Sequence, residues 1–209
     1  MMTSPHLVQS SGLDEETARS ELYGLLALCY YTQPAPEFIA SLRVAATEAP
    51  AAGAFLEESW RTLVGVARDM TDEAIQSEYQ ALFGGMGKPE VYLYGSHFLS
   101  GFLNEKPLAK LRTDLTRLGL DRASEMSETE DHVAYLCEVM RFLIAGEDVA
   151  VSNLTQQQQF FSTHLQPWVT RMCDDLQAHP SARFYSALGG LTRSFMGIEA
   201  QGFDMLEPE

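Results

Sequence analysis

Leucine recurs at positions 108, 111, 115 and 118, a spacing of three, four and three. Only an α-helix stacks residues at that spacing on one face. The same period runs through Phe184, Leu188, Leu191, Phe195 and Ile198. It also runs through Ala18, Leu22, Leu25, Leu26 and Cys29 near the start of the chain. Clear apolar–polar alternation, the mark of a half-buried strand, is missing. The chain is therefore expected to be all-α, a single globular bundle of roughly eight to ten helices.

Capping residues and breakers place the expected helices. They fall at about 14–31, 36–47, 53–69, from Thr71 onward, from about Ser96, from Pro107 to Gly119, 127–145, 155–176 and 182–199. The helix near 53–69 turns Phe55, Trp60, Leu63, Val64 and Ala67 inward. Pro167 lies inside the 155–176 pattern and should kink or split it near Leu165. Gly146 is the expected stop of the helix before it. "GGMGKPE", residues 84–90, is the strongest break, and a hinge loop is expected near 84–95. Residues 1–13 and 201–209 are expected to be flexible ends around a helical domain at 14–200. A hinge of this kind leaves both a monomer and a domain-swapped dimer open.

The charge excludes one class of partner. Against 14 Lys and Arg stand 29 Asp and Glu, a net charge of −15. Such a surface repels phosphate backbones and attracts basic peptides. Cys29, Cys137 and Cys173 lie far apart in apolar stripes, without a CxxC pair, which fits buried thiols in a reducing compartment. The segment "MMTSPHLVQSS" lacks the basic and apolar regions of a secretory signal. The apolar run "LYGLLALCYY" is too short to span a bilayer. A soluble cytoplasmic protein is expected, with no stable membrane insertion and no nucleic acid.

The common chemical motifs fail. "GGMGKP" departs from a phosphate loop at Leu82 and Pro89, where a glycine and a hydroxyl are required. A di-iron bundle needs Glu three residues before His, but Tyr94, Thr129 and Phe161 precede His97, His132 and His164. A G-x-S-x-G elbow is absent. No catalytic residue, metal or cofactor is assigned.

"SETEDHVAYLCEVM", residues 127–140, stands out instead. Ser127 and Glu130 fit a capping box, and Asp131 would favour a helix N-terminus. From Ser127 to Asp148 six acids face Arg141 alone. Beside them, Val133, Leu136, Cys137 and Met140 form an apolar face, with Tyr92, Tyr94, His97 and Phe98 as a candidate aromatic wall.

Read together, "EYQALF" at 78–83, the glycine-rich loop, "ETEDH" at 128–132, "QQFFSTHLQPW" and "ARFYSALGGLTRSF" resemble the TorD/DmsD/NarJ family. The likeness spans about residues 20–199. Glu78, Tyr79, Leu82 and Phe83 match the family's E-Y-x-x-L-F, and residues 128–132 match E-P-x-D-H except at Thr129. Many members carry P-Y-E-S where this chain has Leu93-Tyr94-Gly95-Ser96. The resemblance implies a non-catalytic chaperone that binds the twin-arginine signal peptide, or the immature catalytic subunit, of a molybdenum-cofactor oxidoreductase. Binding would hold the client back from export until its cofactor is in place. The stretch 93–112 is most similar to members associated with formate dehydrogenase.

On this reading Asp131, Glu128 and Glu130 are the candidate partners of client arginines, because carboxylate and guanidinium pair in a planar fork. His132, Tyr94 and His97 are candidate peptide contacts. Tyr79 and Phe83 read first as a core stripe and second as client contacts. Replacing proline with Thr129 should loosen the loop. Two other readings stay open: a small all-α hydrolase using His132 or His97 as base, and an adaptor for a folded partner.

Overall fold

The leucine period of residues 108–118 becomes a helix that buries Leu108, Leu111 and Leu115, as the spacing requires. The computed structural model describes residues 11–47, 56–84, 88–103, 106–122 and 127–206. These hold ten helices: α1 Ser11–Tyr31, α2 Pro36–Val44, α3 Glu57–Asp69, α4 Asp72–Phe83, α5 Gly95–Ser100, α6 Lys106–Arg117, α7 Val133–Ala145, α8 Leu154–His164, α9 Val169–Ala178 and α10 Phe184–Asp204. Among the described residues the one β-type feature is an isolated antiparallel bridge between Tyr94 and His132. No helix there is long and apolar enough to cross a membrane.

Several boundaries follow the local chemistry. Thr71 caps α4 by accepting the Ala74 N–H. Pro167 splits the 155–176 pattern, so α8 ends at His164 and α9 begins at Val169. Other boundaries differ from expectation. The last helix continues to Asp204 and buries Phe203, beyond the boundary placed at 200. The first begins at Ser11. Its buried face is Tyr23, Leu26, Ala27, Cys29 and Tyr30, while Ala18 is exposed. Gly146 ends α7 with extended backbone, φ −69°, not in the left-handed form. Phe55 and the centre of the expected hinge, 85–87, lie outside the described residues. All three cysteines are buried free thiols.

Helices α1, α7 and α10 form the centre, with α3 and α9 on the flanks of α10 and α8 against α7. Helices α1 and α10 run antiparallel and share a polar seam. At one end Arg19 grips Glu199 with two bonds, 2.7 and 2.8 Å, and the Tyr23 hydroxyl joins it at 3.0 Å. Further along, the Tyr30 and Thr192 hydroxyls meet at 2.8 Å, and the Tyr185 hydroxyl donates to the Cys29 carbonyl at 3.1 Å. A buried polar group costs little only when partnered, and these are.

Glu78 gives the first motif its structural meaning. Its buried carboxylate accepts the N–H groups of Arg183, Phe184 and Tyr185, at 2.9, 3.1 and 2.7 Å. Helix α10 has no cap of its own, so Glu78 on α4 supplies one from a distance. Tyr79, Phe83 and Tyr185 pack as an aromatic trio with centroids 4.8–5.9 Å apart. Leu82 lies in the core.

Glu78→Ala should therefore strand three backbone donors beside the core. Urea unfolding is expected to show a loss of about 1–3 kcal/mol, the range for an orphaned buried partner. Glu78→Gln, which keeps one acceptor oxygen, should fall between the variant and the wild type.

Candidate client-binding site

Residues 127–132 form a turn ahead of α7, not its first turn. The helix begins at Val133, and His132 is its N-cap, with Nδ1 accepting the Ala134 N–H at 3.2 Å. The expected capping box of Ser127 and Glu130 does not form, because both precede the helix. The turn is fixed to the segment before α5 by two backbone bonds. Val133 N–H donates to the Leu93 carbonyl at 2.8 Å, and Gly95 N–H to the Asp131 carbonyl at 2.9 Å.

The three candidate carboxylates have different surroundings. Asp131 is buried, and its Oδ2 accepts the Ser96 N–H at 2.8 Å, at the start of α5. Its Oδ1 accepts the Thr129 hydroxyl at 2.6 Å. Thr129 thus ties the turn through its side chain, where a looser loop was expected from the missing proline. Glu130 is held by the half-exposed Arg112 in a two-bond fork, 3.0 and 2.9 Å. Burial alone would raise the Glu130 pKa; the Arg112 hydrogen bond and charge overcome it and hold it below the usual carboxylate value. Glu128 remains half-buried and accepts the Tyr94 hydroxyl and, at 3.2 Å, the Ser127 hydroxyl.

Freeing Asp131 for a guanidinium would break two hydrogen bonds in a buried place, at about 1–3 kcal/mol each. That cost is comparable with what a new charged pair returns. Asp131 and Glu130 are thus both engaged by partners within the chain, and Glu128 is the carboxylate of the three nearest to solvent.

The aromatic residues divide into two groups. Tyr94 packs edge-on against His132 at 5.0 Å, and Tyr31 of α1 does so at 6.4 Å. The Tyr79 hydroxyl donates to the Tyr31 carbonyl at 3.0 Å, which joins the E-Y-x-x-L-F stripe to this cluster. Phe83 lies behind Tyr79. His97 belongs elsewhere: it stacks on Tyr92 at 3.8 Å and meets Phe98 edge-on. The aromatic wall expected from Tyr92, Tyr94, His97 and Phe98 is thus two separate surfaces. Phe98 in turn stacks on the buried Trp168, 5.4 Å away, whose Nε1 donates to the His164 carbonyl at 2.6 Å. A Cβ on Gly95 would sit 3.0 Å from that Nε1. The glycine at this point allows the close approach.

The expected apolar face of α7 is core: Val133, Leu136, Cys137 and Met140 are all buried. The open groove lies on its adjoining face. It has a volume of about 610 Å³ and runs between α1, α7 and the turn after α6. Leu28, Tyr31 and Phe142 line it at 46%, 36% and 40% exposure. Asp121 and Glu138 add carboxylates to its lining, and Tyr31 joins it to the cluster around His132. A signal for this groove was present in "LYGLLALCYY". Nine apolar residues in ten, wrapped round a helix, exceed what one buried face holds.

Among the described residues no cluster of three or more His, Cys, Asp or Glu is placed to hold a metal. His132 is 4% exposed with Nδ1 occupied, which leaves that nitrogen unavailable as a base.

The buried imidazole makes stability depend on pH. Burial lowers the His132 pKa from 6.5 to about 4. Between those values the unfolded chain binds a proton that the folded chain refuses. The contribution of neutral His132 is therefore complete above pH 6.5 and drains away as pH falls to about 4. A depression of this size corresponds to roughly 3 kcal/mol. His132→Asn keeps an acceptor for Ala134 and does not titrate. Urea unfolding across this range should show a shallower acid loss in the variant. His164, also lowered by burial, keeps its share of the slope.

Residues 49–174 match the family described as nitrate reductase delta subunit. The match runs from the approach to α3 through most of α9 and includes both motifs and the turn at 127–132. No curated protein matches the chain. The family is one of redox-enzyme maturation chaperones that act on molybdoenzyme subunits. The ten helices of the described residues, the order of the motifs and a match over more than half of the chain agree, and the chain belongs to the nitrate reductase delta subunit family, the NarJ/TorD-like chaperones.

Proposed function

We propose that the protein binds the twin-arginine signal peptide of a molybdenum-cofactor oxidoreductase in the groove between α1 and α7. Such a leader presents two guanidiniums followed by an apolar, helix-forming run. The observation that carries the reading is the groove itself. An apolar channel of about 610 Å³, with Leu28, Tyr31 and Phe142 open to solvent, has carboxylates at hand in a chain of net charge −15. Exposed apolar surface rimmed by polar groups marks an interaction site. A helix laid in a groove is a recurring way to recognise such a run.

Within this reading Glu128 and Asp121 receive the arginines. Glu130, Asp131 and His132 fix the turn that presents Glu128. Tyr94 orients the Glu128 carboxylate, and Tyr79 and Phe83 support Tyr31 from behind. His97, on the Tyr92 side, is outside the contact. The bound leader is kept from export in the cytoplasm while the client's cofactor is inserted. A formate dehydrogenase precursor is the first client to try, from the resemblance of residues 93–112.

Fluorescence anisotropy with a labelled twin-arginine leader should show saturable binding that weakens as salt rises, because exposed charge pairs are screened. Leu28→Asp, at an exposed position, is expected to weaken binding at least tenfold, about 1.4 kcal/mol. Glu128→Gln should cost about 1–2 kcal/mol, a charged hydrogen bond lost. Unchanged affinity in both variants, with the helical circular dichroism intact, would remove the groove from the mechanism. Binding of a leaderless client body with no affinity for the peptide would favour the immature catalytic subunit as the ligand.

A further inference from the structure

The two ends of the groove differ in charge. Helices α1 and α7 lie antiparallel across it: Tyr31 meets His132 at one end, and Gly24 meets Arg141 at the other. Seven residues of helix separate Gly24 from Tyr31, roughly 10 Å. The Tyr31 end holds Asp121, which lies near Tyr135 in the first turn of α7, and, through Tyr94 and His132, Glu128, whose main-chain carbonyl accepts from Arg122. Among the described residues that line the groove, Arg141 is the one cation, and Glu138 beside it is an acid.

Arg141 is placed there by two features. Its Nη1 bonds both oxygens of Glu138, at 3.1 and 3.2 Å. Its chain lies against the bare backbone of Gly24, where an added Cβ would sit 3.3 Å from Cδ and 3.6 Å from Nη1. A glycine inside a 21-residue helix is unfavourable for the helix alone. Here it makes room for a guanidinium to cross from α7 to α1. The guanidinium remains half-exposed, and so open to a ligand.

We infer that Arg141 sets the direction in which a client helix lies in the groove. This rests on the groove being the leader site. The basic N-terminal residues of the leader lie at the Asp121 and Glu128 end, and the last carbonyls of its apolar helix face Arg141. Two forces favour that direction. A helix carries partial negative charge and unsatisfied carbonyls at its C-terminus, and a guanidinium supplies donors to both. The reverse direction brings the leader's arginines against Arg141, where like charges repel. Glu138 holds Arg141 in the free protein, and the leader's carbonyls compete for it.

Disulfide mapping on the full chain tests this, because all three native cysteines are buried. Leu120→Cys places a thiol at the acidic end and Phe142→Cys one at the Arg141 end. Two synthetic leaders carry a single Cys, either directly after the arginine pair or at the end of the apolar run. The first peptide should couple to the position-120 thiol and the second to the position-142 thiol, each at least fivefold over the crossed pairing. Equal yields, or a preference for the crossed pairs, overturn the assigned direction. Arg141→Gln, with its fold verified by circular dichroism, should bring the pairings within twofold while the peptide still binds. An undiminished preference in that variant removes Arg141 from the role. If the wild-type chain shows no saturable anisotropy change with either leader, the groove reading fails and the direction with it. Binding without preference fails the direction alone.

Discussion

Helix α7 has more apolar surface than one neighbour can cover, and the rest of the molecule is arranged around that fact. Nine of its thirteen residues are buried. Helix α1 covers one side and α8 another, while the turn after α6 reaches only part of what is left. Apolar area withdrawn from water stabilises by about 25 cal/mol per Å². Each covering element is held by that term, and the strip none of them reaches is the groove. Core and candidate binding surface are thus two faces of the same helix.

Polar groups then fix how the covering elements sit. Two motifs that look like surface chemistry in the sequence turn out to place a carboxylate at the start of a distant helix. Glu78 does so for α10, and Asp131 for α5. In each case a helix without a cap of its own borrows one from a segment far along the chain. The carboxylate then specifies tertiary arrangement as well as local stability, since only one docking geometry satisfies the donors. The Arg19–Glu199 pair with Tyr23 acts likewise along the seam of α1 and α10.

Much of the fold was legible in the residues. Helical period, the Thr71 cap and the break at Pro167 located most elements, because each depends on a few neighbouring positions. The start of α7 was not legible: Ser127 and Glu130 have capping spacing, yet tertiary bonds to Leu93 and Ser96 draw the turn away from helix. The geometry of the candidate site was legible only in part. Glu128, Tyr94, His132 and Tyr79 lie in one cluster. His97 does not join them, and Glu130 and Asp131 are committed to Arg112 and Ser96. Which face of α7 stays open could not be read from its own pattern, since nearly every face is apolar. The missing information lay in α1, whose excess of apolar residues leaves Leu28 and Tyr31 without core to enter.

The stack of Phe98 on Trp168 gives the molecule a built-in optical gauge. Trp168 is one of two tryptophans, and the other, Trp60, sits half-buried on α3 with its indole bonded to the Ala46 carbonyl. Trp168 is sealed by Phe98 and by the bare backbone of Gly95, which begins the helix that Asp131 holds. Should α5 lift from its seat, water reaches the indole and its emission moves to the red, while Trp60 stays as it was. Gly95 thus leaves a native fluorophore watching the segment that the aspartate keeps in place.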